Sequence, residues 1–310
     1  MDLRRVSGPL SPSDREAVRA LAARATAEDG VAPLDEAALL ALDDDGAVRG
    51  VHVLADEGDH VVGYAQVDPG GEVPAAQLVV DPGARRRGVG RALLEAAGDG
   101  PLEALAHGDL PAARALAEAA GFVAVHELWR MARDLRHPVA EPVWPAGVVV
   151  RAFVQGHDEA AWLAVNARAF ADHPEQGRWD AHDLRARERE PWFDPDGFLL
   201  AERDGTLQGF AWTKVHPAGE LADGRVGELY VVGVDPSAQG AGLGKALTAA
   251  GIAHLVGRGL GTAVLWVAGD NAAAVRTYRN AGFERAGTDV RYARDDARGA
   301  SEADGATMGA

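Results

Sequence analysis

The sequence predicts a mixed α/β fold (an α+β mixed sheet) in two tandem domains. Apolar strand-like runs alternate with helix-like segments, and paired strand signals stand in the middle of each half of the chain. A strand, a loop of small residues and a helix start occur together twice, and Asp235-Pro236 follows Asp81-Pro82 by 154 residues, close to half of the 310-residue length. Self-similarity at this spacing indicates a tandem duplication.

The first half reads in order as a helix, three strands, two helices and a strand. Ser13-Asp14-Arg15-Glu16 has the pattern of a capping box, so a helix is expected from there to about residue 27. Gly121 stands where a helix end is expected, just before an apolar run. The strands are predicted at residues 50–54, 61–67, 75–80 and 122–131, and the other helices at residues 88–97 and 111–120.

The second half repeats this order after a break. Residues 137–147 hold three prolines and a glycine, which places a linker at residues 138–147. The strands that follow are predicted at residues 148–153, 198–202, 207–215, 227–234, 263–267 and 283–293, and the helices at residues 158–170, 242–256 and 271–281. The predicted domains are therefore residues 1–137 and 148–295. Residues 296–310 are small, polar and unpatterned, so we expect a disordered tail.

Composition excludes several classes of function. A net charge of −16 argues against nucleic acid as a partner, because phosphate binding requires a basic surface. The absence of cysteine excludes disulfides, cysteine metal sites and a cysteine nucleophile. No apolar run approaches the roughly 18 residues that span a bilayer, and no secretory signal is visible at the start. We therefore expect a cytoplasmic monomer with no membrane partner, and no metal, since the ten histidines form no ligand-spaced cluster.

The loop residues 239–244, Gln-Gly-Ala-Gly-Leu-Gly, lie between a strand and a helix start. Backbone N–H groups at such a helix start lack intrahelical partners, and the helix dipole favours negative charge there. A pyrophosphate suits this spot. The Gly-x-Gly-x-x-Gly spacing of a dinucleotide-binding Rossmann loop is absent. An ordinary glycine-rich turn in both halves is the remaining alternative.

The pattern Gln/Arg-x-x-Gly-x-Gly/Ala after Val-Asp-Pro resembles the acetyl-CoA loop of the GCN5-related N-acetyltransferases (GNATs). The resemblance implies two tandem GNAT domains with acetyl-CoA as co-substrate. The acetyl-CoA contacts that it implies in the first half are Leu78, Val79, Val80, Arg86, Arg87, Gly88, Val89, Gly90 and Arg91. Those in the second half are Val232, Gly233, Val234, Gln239, Gly240, Ala241, Gly242, Leu243, Gly244, Lys245, Asn271, Ala272, Ala273, Ala274, Val275 and Arg276.

The two halves differ at a helix near their ends. Residues 269–283 align without gaps with residues 108–122, which places Tyr278 opposite Ala117. In the GNATs this helix lies beside the thioester, and its tyrosine can protonate the departing thiolate. The first half lacks that hydroxyl, so the second domain is expected to catalyse and the first is not. The alternative for Tyr278 is a packed core aromatic.

Amide formation from a thioester requires a base for the amine, N–H donors for the carbonyl oxygen and a proton for the leaving thiolate. Glu228, on the strand that leads into the loop, is the candidate base, acting directly or through a water. Pro74 stands at the equivalent place in the first half and cannot do this. A backbone amide of residues 232–234 is the expected donor to the carbonyl oxygen. On its own, a strand glutamate is more often a solvent-facing residue.

Further segments narrow the resemblance, namely residues 29–33, 171–177, 192–197, 209–217 and 227–236. Together they are similar to the mycothiol synthases (mycothiol acetyltransferases) of actinomycetes. That family transfers the acetyl group of acetyl-CoA to the cysteinyl amine of cysteinyl-glucosaminyl-inositol, the last step of mycothiol biosynthesis. The resemblance implies substrate contacts from Glu36, Glu175, Lys214, Glu228 and Tyr278. Trp266 stands where a substrate-facing tyrosine is expected, so an indole that only donates replaces a phenol.

Two other functions stay open at this point. One is a tandem acetyltransferase for another small amine, such as an aminoglycoside or a polyamine. The other is a non-catalytic acyl-CoA-binding protein, against which Asn271, Tyr278 and Glu228 in one half argue. The arginine-rich loop of the first half implies a second acetyl-CoA that is not turned over, with an empty site as the alternative.

Overall fold

The computed structural model describes residues 1–43, 50–171 and 176–294. The described residues form two compact units, the first made of those within Met1–Leu128 together with residues 287–294, and the second of those within Trp129–Ala286. The predicted domain bounds follow the sequence repeat instead, and they remain a prediction. The compact units differ from them because most of the last strand belongs to the first unit and residues 129–137 belong to the second.

The first unit is a sheet with helices packed on it. Its elements are β1 (Asp2–Val6), α1 (Pro12–Asp29), α2 (Glu36–Asp43), β2 (Val51–Glu57), β3 (His60–Asp68), β4 (Ala75–Val80), α3 (Val89–Ala97), β5 (Glu103–Ala106), α4 (Pro111–Ala119) and the start of β6 (Phe122–Asp134). β1 to β4 pair antiparallel in chain order, whereas β4 and β5 pair parallel across α3. The mixed sheet expected from the sequence is confirmed.

The second unit repeats this arrangement. Its elements are β7 (Val148–Ala152), α5 (Glu159–Ala169), α6 (Ala181–Glu188), β8 (Phe198–Arg203), β9 (Thr206–His216), β10 (Val226–Val234), α7 (Leu243–Gly257), β11 (Thr262–Ala268), α8 (Ala272–Asn280) and the start of β12 (Glu284–Arg294). β7 to β10 pair antiparallel, and β10 and β11 pair parallel across α7. One face of the sheet carries an aromatic core around Trp162, Phe198, Phe210 and Trp212.

The duplication is confirmed by matching backbone geometry in the two loops. Asp81 and Asp235 each cap a short 3-10 turn with φ −50° and −51°, and Gly88 and Gly242 each precede the following helix with φ 86°. α8 follows α4 by 161 residues at both ends, as the gapless alignment predicts. The spacing grows by seven residues, from 154 to 161: α7 has 15 residues where α3 has 9, and the segment between α7 and α8 is one residue longer than that between α3 and α4.

Several elements were not predicted from the sequence, namely β1, α2, β5 and α6. α6 is almost entirely polar, with an Asp180–Asp183 capping box and just one buried leucine, so its apolar pattern is too weak to indicate a helix. The first helix begins two residues earlier than expected. Its N-cap is Ser11, whose side chain accepts the N–H of Asp14, and not Ser13. The predicted tail at residues 296–310 lies outside the described residues.

Candidate active site

The loop between β10 and α7 has the backbone geometry that suits an anion. Gly240 and Gly242 both adopt left-handed φ values, 82° and 86°, which only glycine takes without strain. Ala246 is the first residue of this helix to bond back, to the carbonyl of Gly242. The preceding N–H groups of the first turn therefore remain available at the positive end of the helix dipole. Lys245 stands exposed in the same turn and adds a cation.

Asp235 holds this loop in place. Its carboxylate accepts from the N–H of Ser237 at 3.0 Å, from the hydroxyl of Ser237 at 2.6 Å and from Nε of Arg168 at 2.7 Å. The hydrogen bonds from Ser237, followed by that from Arg168, lower the pKa of Asp235 against the opposing effect of burial. The carboxylate stays ionised at neutral pH, so its charged hydrogen bonds stabilise the short turn that precedes α7.

A β-bulge lies next to the loop in β10. Leu229 pairs with Thr213 and Val231 pairs with Trp212, so Tyr230 is the extra residue. β10 and β11 pair at Gly227–Ala263 and Glu228–Val264, and their ladder in the described residues goes no further. The two strands therefore part just after Glu228. Successive N–H groups of a strand point to opposite edges, and that of Asp235 bonds to the carbonyl of Gln208 in β9 at 2.8 Å. The N–H groups of Val232 and Val234 therefore face the opening and suit a carbonyl oxygen.

Glu228 is buried at the mouth of this opening, with 7% of its surface exposed. Its carboxylate lies 2.7 Å from Nε2 of His216, and Nδ1 of His216 lies 2.6 Å from the carboxylate of Glu220. Burial by itself would lower the pKa of His216, but the hydrogen bonds to Glu220 and Glu228 outweigh it and raise that pKa to about 9. At neutral pH the ring is an imidazolium that donates to both carboxylates.

Lys214 is the cross-strand partner of Glu228, so both side chains project from the same face of the sheet. It is 7% exposed, and its Nζ lies 4.6 Å from the ring centroid of Trp192 and 5.5 Å from that of Tyr230. The hydroxyl of Tyr230 in turn accepts from Nε of Arg187 at 2.7 Å. Aromatic rings thus hold a buried ammonium beside the candidate base, where it can donate to oxygen atoms of a substrate.

Tyr278 lies in α8 and packs against the apolar cluster that α7 and β11 share. Its ring meets that of Phe283 edge-on at 6.2 Å between centroids. Burial raises the pKa of Tyr278 to about 12, so its hydroxyl keeps its proton at neutral pH. Asn271 caps the same helix by accepting the N–H of Ala274 at 3.0 Å. Tyr278 is therefore both a packed aromatic residue and a protonated phenol.

Trp266 is partly exposed in β11. Its neighbours Leu265 and Val267 belong to the cluster that contains Tyr278, so strand alternation places Trp266 on the opposite face. That is the face from which Glu228 and Lys214 project. The indole can therefore line the same side of the sheet as the candidate base.

The first unit lacks this arrangement. Its β3–β4 ladder runs from Gly63–Val80 to Asp68–Ala75 without a bulge. Gly63 in β3 pairs with Val80, the last residue of β4, just as Gly209 in β9 pairs with Val234, the last residue of β10. Asp68 and Lys214 each lie five residues after these glycines, so Asp68 occupies the position of Lys214.

Ala75 pairs with Asp68 as Glu228 pairs with Lys214, so Ala75 and not the expected Pro74 stands at the place of Glu228. The alignment is one residue off because β10 has the bulge and β4 does not. Ala117 stands opposite Tyr278 in the gapless alignment, so the candidate base, the candidate acid and the bulge are all absent from the first unit.

The loop of the first unit nevertheless keeps its shape. Arg86 adopts φ 63° where the second unit has Gly240, and it is exposed. Arg87 forms a 2.6 Å ion pair with Glu57, and Arg91 a 3.1 Å pair with Glu95. Of the predicted first-half contacts, Leu78, Val79 and Val80 end β4, while Gly88, Val89 and Gly90 open α3.

Two predicted substrate contacts, Glu36 and Glu175, are not among the site residues described above. Glu36 begins α2 in the first unit and is partly buried. Glu175 lies outside the described residues. His216 lies in the segment 209–217 that contributes to the family resemblance, but the sequence assigns it no role, and the bulge at Tyr230 is not predicted. The one sequence signal for His216 is its spacing of two from Lys214, which puts both on one strand face.

In the described ranges, no group of three metal-ligating side chains occurs, and no helix is long and apolar enough to cross a membrane.

Comparison with known proteins gives a consistent result. The model of the acetyltransferase (GNAT) family matches residues 162–283, and the model of the acetyltransferase (GNAT) domain matches residues 48–124. A mycothiol acetyltransferase of Cellulomonas flavigena is 56% identical over 302 residues, covering 92% of this chain and 87% of that protein. One from Thermobispora bispora is 53% identical over 287 residues, covering 92% and 97%.

Solved structures show the same fold. A GCN5-related N-acetyltransferase from Sphaerobacter thermophilus is 25% identical, with a TM-score of 0.64 over 94% of this chain and 95% of that one. A tandem GNAT protein from the clavulanic acid biosynthesis pathway is 21% identical, with a TM-score of 0.68 over 94% and 98%.

Proposed function

Because the chain belongs to the mycothiol acetyltransferases, a tandem branch of the GNAT family, we propose that its second half transfers the acetyl group to the cysteinyl amine of cysteinyl-glucosaminyl-inositol. Acetyl-CoA-dependent N-acetyl transfer in mycothiol biosynthesis is the activity of this family. The acceptor, the residues that act on it and the division of labour between the halves are the proposal. A cytoplasmic location and a monomeric state stay predictions from the sequence.

One observation carries the proposal: Glu228 is buried beside the bulge and the strand opening of β10, next to the anion-binding loop. A carboxylate held there can meet an ammonium that approaches a thioester lying in the opening. The first unit has Ala75 in place of Glu228 and no bulge in β4. We therefore assign catalysis to residues 148–295.

Glu228 acts as the base, directly or through a water. An ammonium cannot attack, so the carboxylate first takes one of its protons, and the neutral nitrogen then adds to the thioester carbon. As the carbonyl oxygen gains negative charge, N–H groups of β10 beyond the bulge stabilise it. Such donors act where charge develops, so they lower the barrier more than they strengthen substrate binding.

Tyr278 acts as the acid. When the tetrahedral intermediate collapses, the carbon–sulfur bond breaks and the sulfur receives the phenolic proton. The nitrogen, which is positively charged after attack, loses a proton in the same stage and restores the phenol. The pKa of about 12 keeps the hydroxyl protonated between turnovers. Help of this acid–base kind is worth about 10²–10⁴-fold in rate.

The acceptor is held by polar groups of complementary chemistry. Lys214 donates to hydroxyl or carbonyl oxygens, and Trp266 offers a flat apolar surface to a sugar ring together with one N–H donor. The carboxylates of Glu36 and Glu175 suit an ammonium and sugar or inositol hydroxyls. These four contacts come from the family resemblance, and Lys214 has the most support because it is the cross-strand neighbour of Glu228.

The first half is proposed to bind a second acetyl-CoA that is not turned over. Its loop has the backbone of the catalytic loop, and Arg86, Arg87 and Arg91 provide positive charge. Quantifying CoA per chain after saturation and desalting tests this. A ratio near two supports a second site, whereas a ratio that never exceeds one rejects it.

The decisive assay for the reaction is acetyl-CoA turnover with cysteinyl-glucosaminyl-inositol, read by product mass, because the thiol of the acceptor itself would react with a thiol dye. A gain of one acetyl group that survives thioester cleavage by hydroxylamine locates the group on the amine. An aminoglycoside and a polyamine serve as competing acceptors. Product from those amines alone would reject the proposed acceptor, and bound CoA without turnover of any acceptor would favour a binding protein.

A further inference from the structure

A buried chain of three side chains connects the proposed base with the surface. Glu228, His216 and Glu220 are joined by hydrogen bonds of 2.7 and 2.6 Å, one at each nitrogen of the ring. The side chains of His216 and Glu228 are 6% and 9% exposed, whereas that of Glu220 is 44% exposed. The chain thus begins at a group shielded from water and ends at one that exchanges protons with it.

The reaction proposed above creates a need for such a route. An ammonium that becomes an amide loses two protons, and the thiolate takes one of them through Tyr278. The other arrives on Glu228, which solvent reaches poorly once an acceptor covers it. Every turnover must discharge this proton before Glu228 can serve again.

We propose that His216 is a positioning residue that orients Glu228 and releases the surplus proton of each turnover through Glu220. The inference depends on the proposed function, since it presupposes Glu228 as the base. In the resting site the imidazolium donates from Nε2 to Glu228 and from Nδ1 to Glu220.

The charges balance at each stage. When the ammonium gives its proton to Glu228, the carboxylate becomes a neutral acid and the imidazolium loses its counter-ion. The ring then passes its Nδ1 proton to Glu220, from which it reaches water, and a neutral acid faces a neutral imidazole. Nε2 keeps its own proton throughout, so Glu228 cannot pass its proton directly to the ring. After the product leaves, a water takes the proton of Glu228 and another water returns one to Nδ1, which restores the carboxylate and the imidazolium with no net change in protons.

Three charged groups set the state of the ring. Glu220 faces Nδ1 and Glu228 faces Nε2, and both favour the imidazolium. Lys214, on the same strand face, disfavours it through its own positive charge, as does burial, but the two carboxylates prevail. Neutralising Glu228 removes one of the two stabilising charges, which is the event that allows the ring to release its proton.

The test compares His216→Gln and Glu220→Gln with wild type in the acetyl-transfer assay. Glutamine keeps a hydrogen bond to Glu228 but cannot carry a proton. Glu220 is partly exposed, so its substitution leaves the fold intact. Glu118→Gln, an exposed glutamate in α4 that loses the same charge, is the matched control. kcat and KM are measured against pH and against the concentration of imidazole buffer at constant ionic strength.

We expect kcat to fall about tenfold or more in His216→Gln and less in Glu220→Gln, with KM for acetyl-CoA unchanged. Rising imidazole should restore part of kcat in both variants and leave wild type and Glu118→Gln unaffected. The alkaline limb of the wild-type profile, which follows loss of the imidazolium of His216 with its pKa of about 9, should be absent from His216→Gln.

Wild-type kcat in both variants, or a loss that neither pH nor imidazole modulates, would overturn the proton-release role. Turnover by the wild-type protein in the same assay distinguishes failure of the proposed acceptor from failure of the role of His216. Turnover by wild type together with unaltered variants rejects only the role of His216, whereas no product from wild type rejects the proposed acceptor and the inference that depends on it.

Discussion

Gly242 and Gly88 adopt the same left-handed φ of 86° at the start of equivalent helices, 154 residues apart. A Cβ added at either position would meet nothing within 4 Å, so a substitution there strains the backbone without a clash. The two positions therefore allow the two loops to be weakened separately by the same small change.

Gly242→Ala should raise KM for acetyl-CoA about tenfold. An L-residue in this conformation costs about 1–2 kcal/mol, and relief of that strain turns the first N–H groups of α7 away from the pyrophosphate. Gly88→Ala is the matched change in the first unit and should leave kcat and KM unchanged while lowering the CoA bound per chain. Steady-state kinetics and CoA quantification of both variants check this, and impaired turnover in Gly88→Ala alone would contradict the assignment of catalysis.

Tyr278→Phe should lower kcat about a hundredfold with little change in KM, because the hydroxyl acts mainly in the transition state. The ring and its contact with Phe283 remain, so the fold should persist. Tyr292→Phe, which removes a hydroxyl from the first unit, is the control and should keep wild-type kcat. Kinetics and thermal unfolding of both variants would decide, and a wild-type kcat in Tyr278→Phe would remove it as the acid.

The local geometry that the sequence predicts correctly is that of short segments. The two loops depend on Asp-Pro turns and glycines at fixed positions, and α8 on an asparagine cap followed by Gly282-Phe283. These signals are contained within a few residues. They predict the location of the two glycine loops and the alignment of α8 with α4 without any knowledge of strand pairing.

The parts that were missed depend on pairing between distant segments. The bulge at Tyr230 is defined by the register of β10 against β9, and a run of apolar strand residues carries no sign of it. The contacts of His216 require two strands and the following turn to meet. Long-range pairing also explains why most of β12 belongs to the first unit, because Val290 of β12 pairs with Ala106 of β5.

The two lysines of the chain should separate the binding of the two substrates. Lys214 is buried beside Trp192 and Tyr230 on the proposed acceptor face, whereas Lys245 is exposed at the start of α7, next to the proposed pyrophosphate site. Lys214→Met should raise KM for the acceptor by about tenfold and leave KM for acetyl-CoA unchanged, since methionine keeps most of the apolar stem. Lys245→Met should do the reverse.

Each lysine variant is the control for the other. Initial rates over a grid of both substrate concentrations give KM for the acceptor and KM for acetyl-CoA in each variant. Equal effects on both substrates in Lys214→Met would contradict its place on the acceptor side.

Asp158 should stabilise the second unit in a pH-dependent way. Its side chain is 3% exposed and accepts from Arg151 at 2.5 and 2.8 Å, from the N–H of Val154 at 2.7 Å and from Nδ1 of His157 at 2.8 Å. The bonds from Arg151 chiefly hold its pKa well below the usual range, against the effect of burial. Arg151 is one-third exposed, which reduces the energy through solvent screening.

Asp158→Asn should therefore lower the free energy of unfolding by about 2 kcal/mol at pH 7. A lowered folded-state pKa means that the stabilisation is complete above the ordinary aspartate pKa of about 3.9, and that it declines as pH falls below that value. The difference between wild type and Asp158→Asn in urea unfolding should accordingly be constant from pH 7 to pH 5 and shrink toward pH 3. Asp204→Asn, an exposed control in a left-handed turn that asparagine also tolerates, should match wild type throughout. A difference for Asp158→Asn that does not change with pH would show that packing, rather than the ion pair, accounts for the loss.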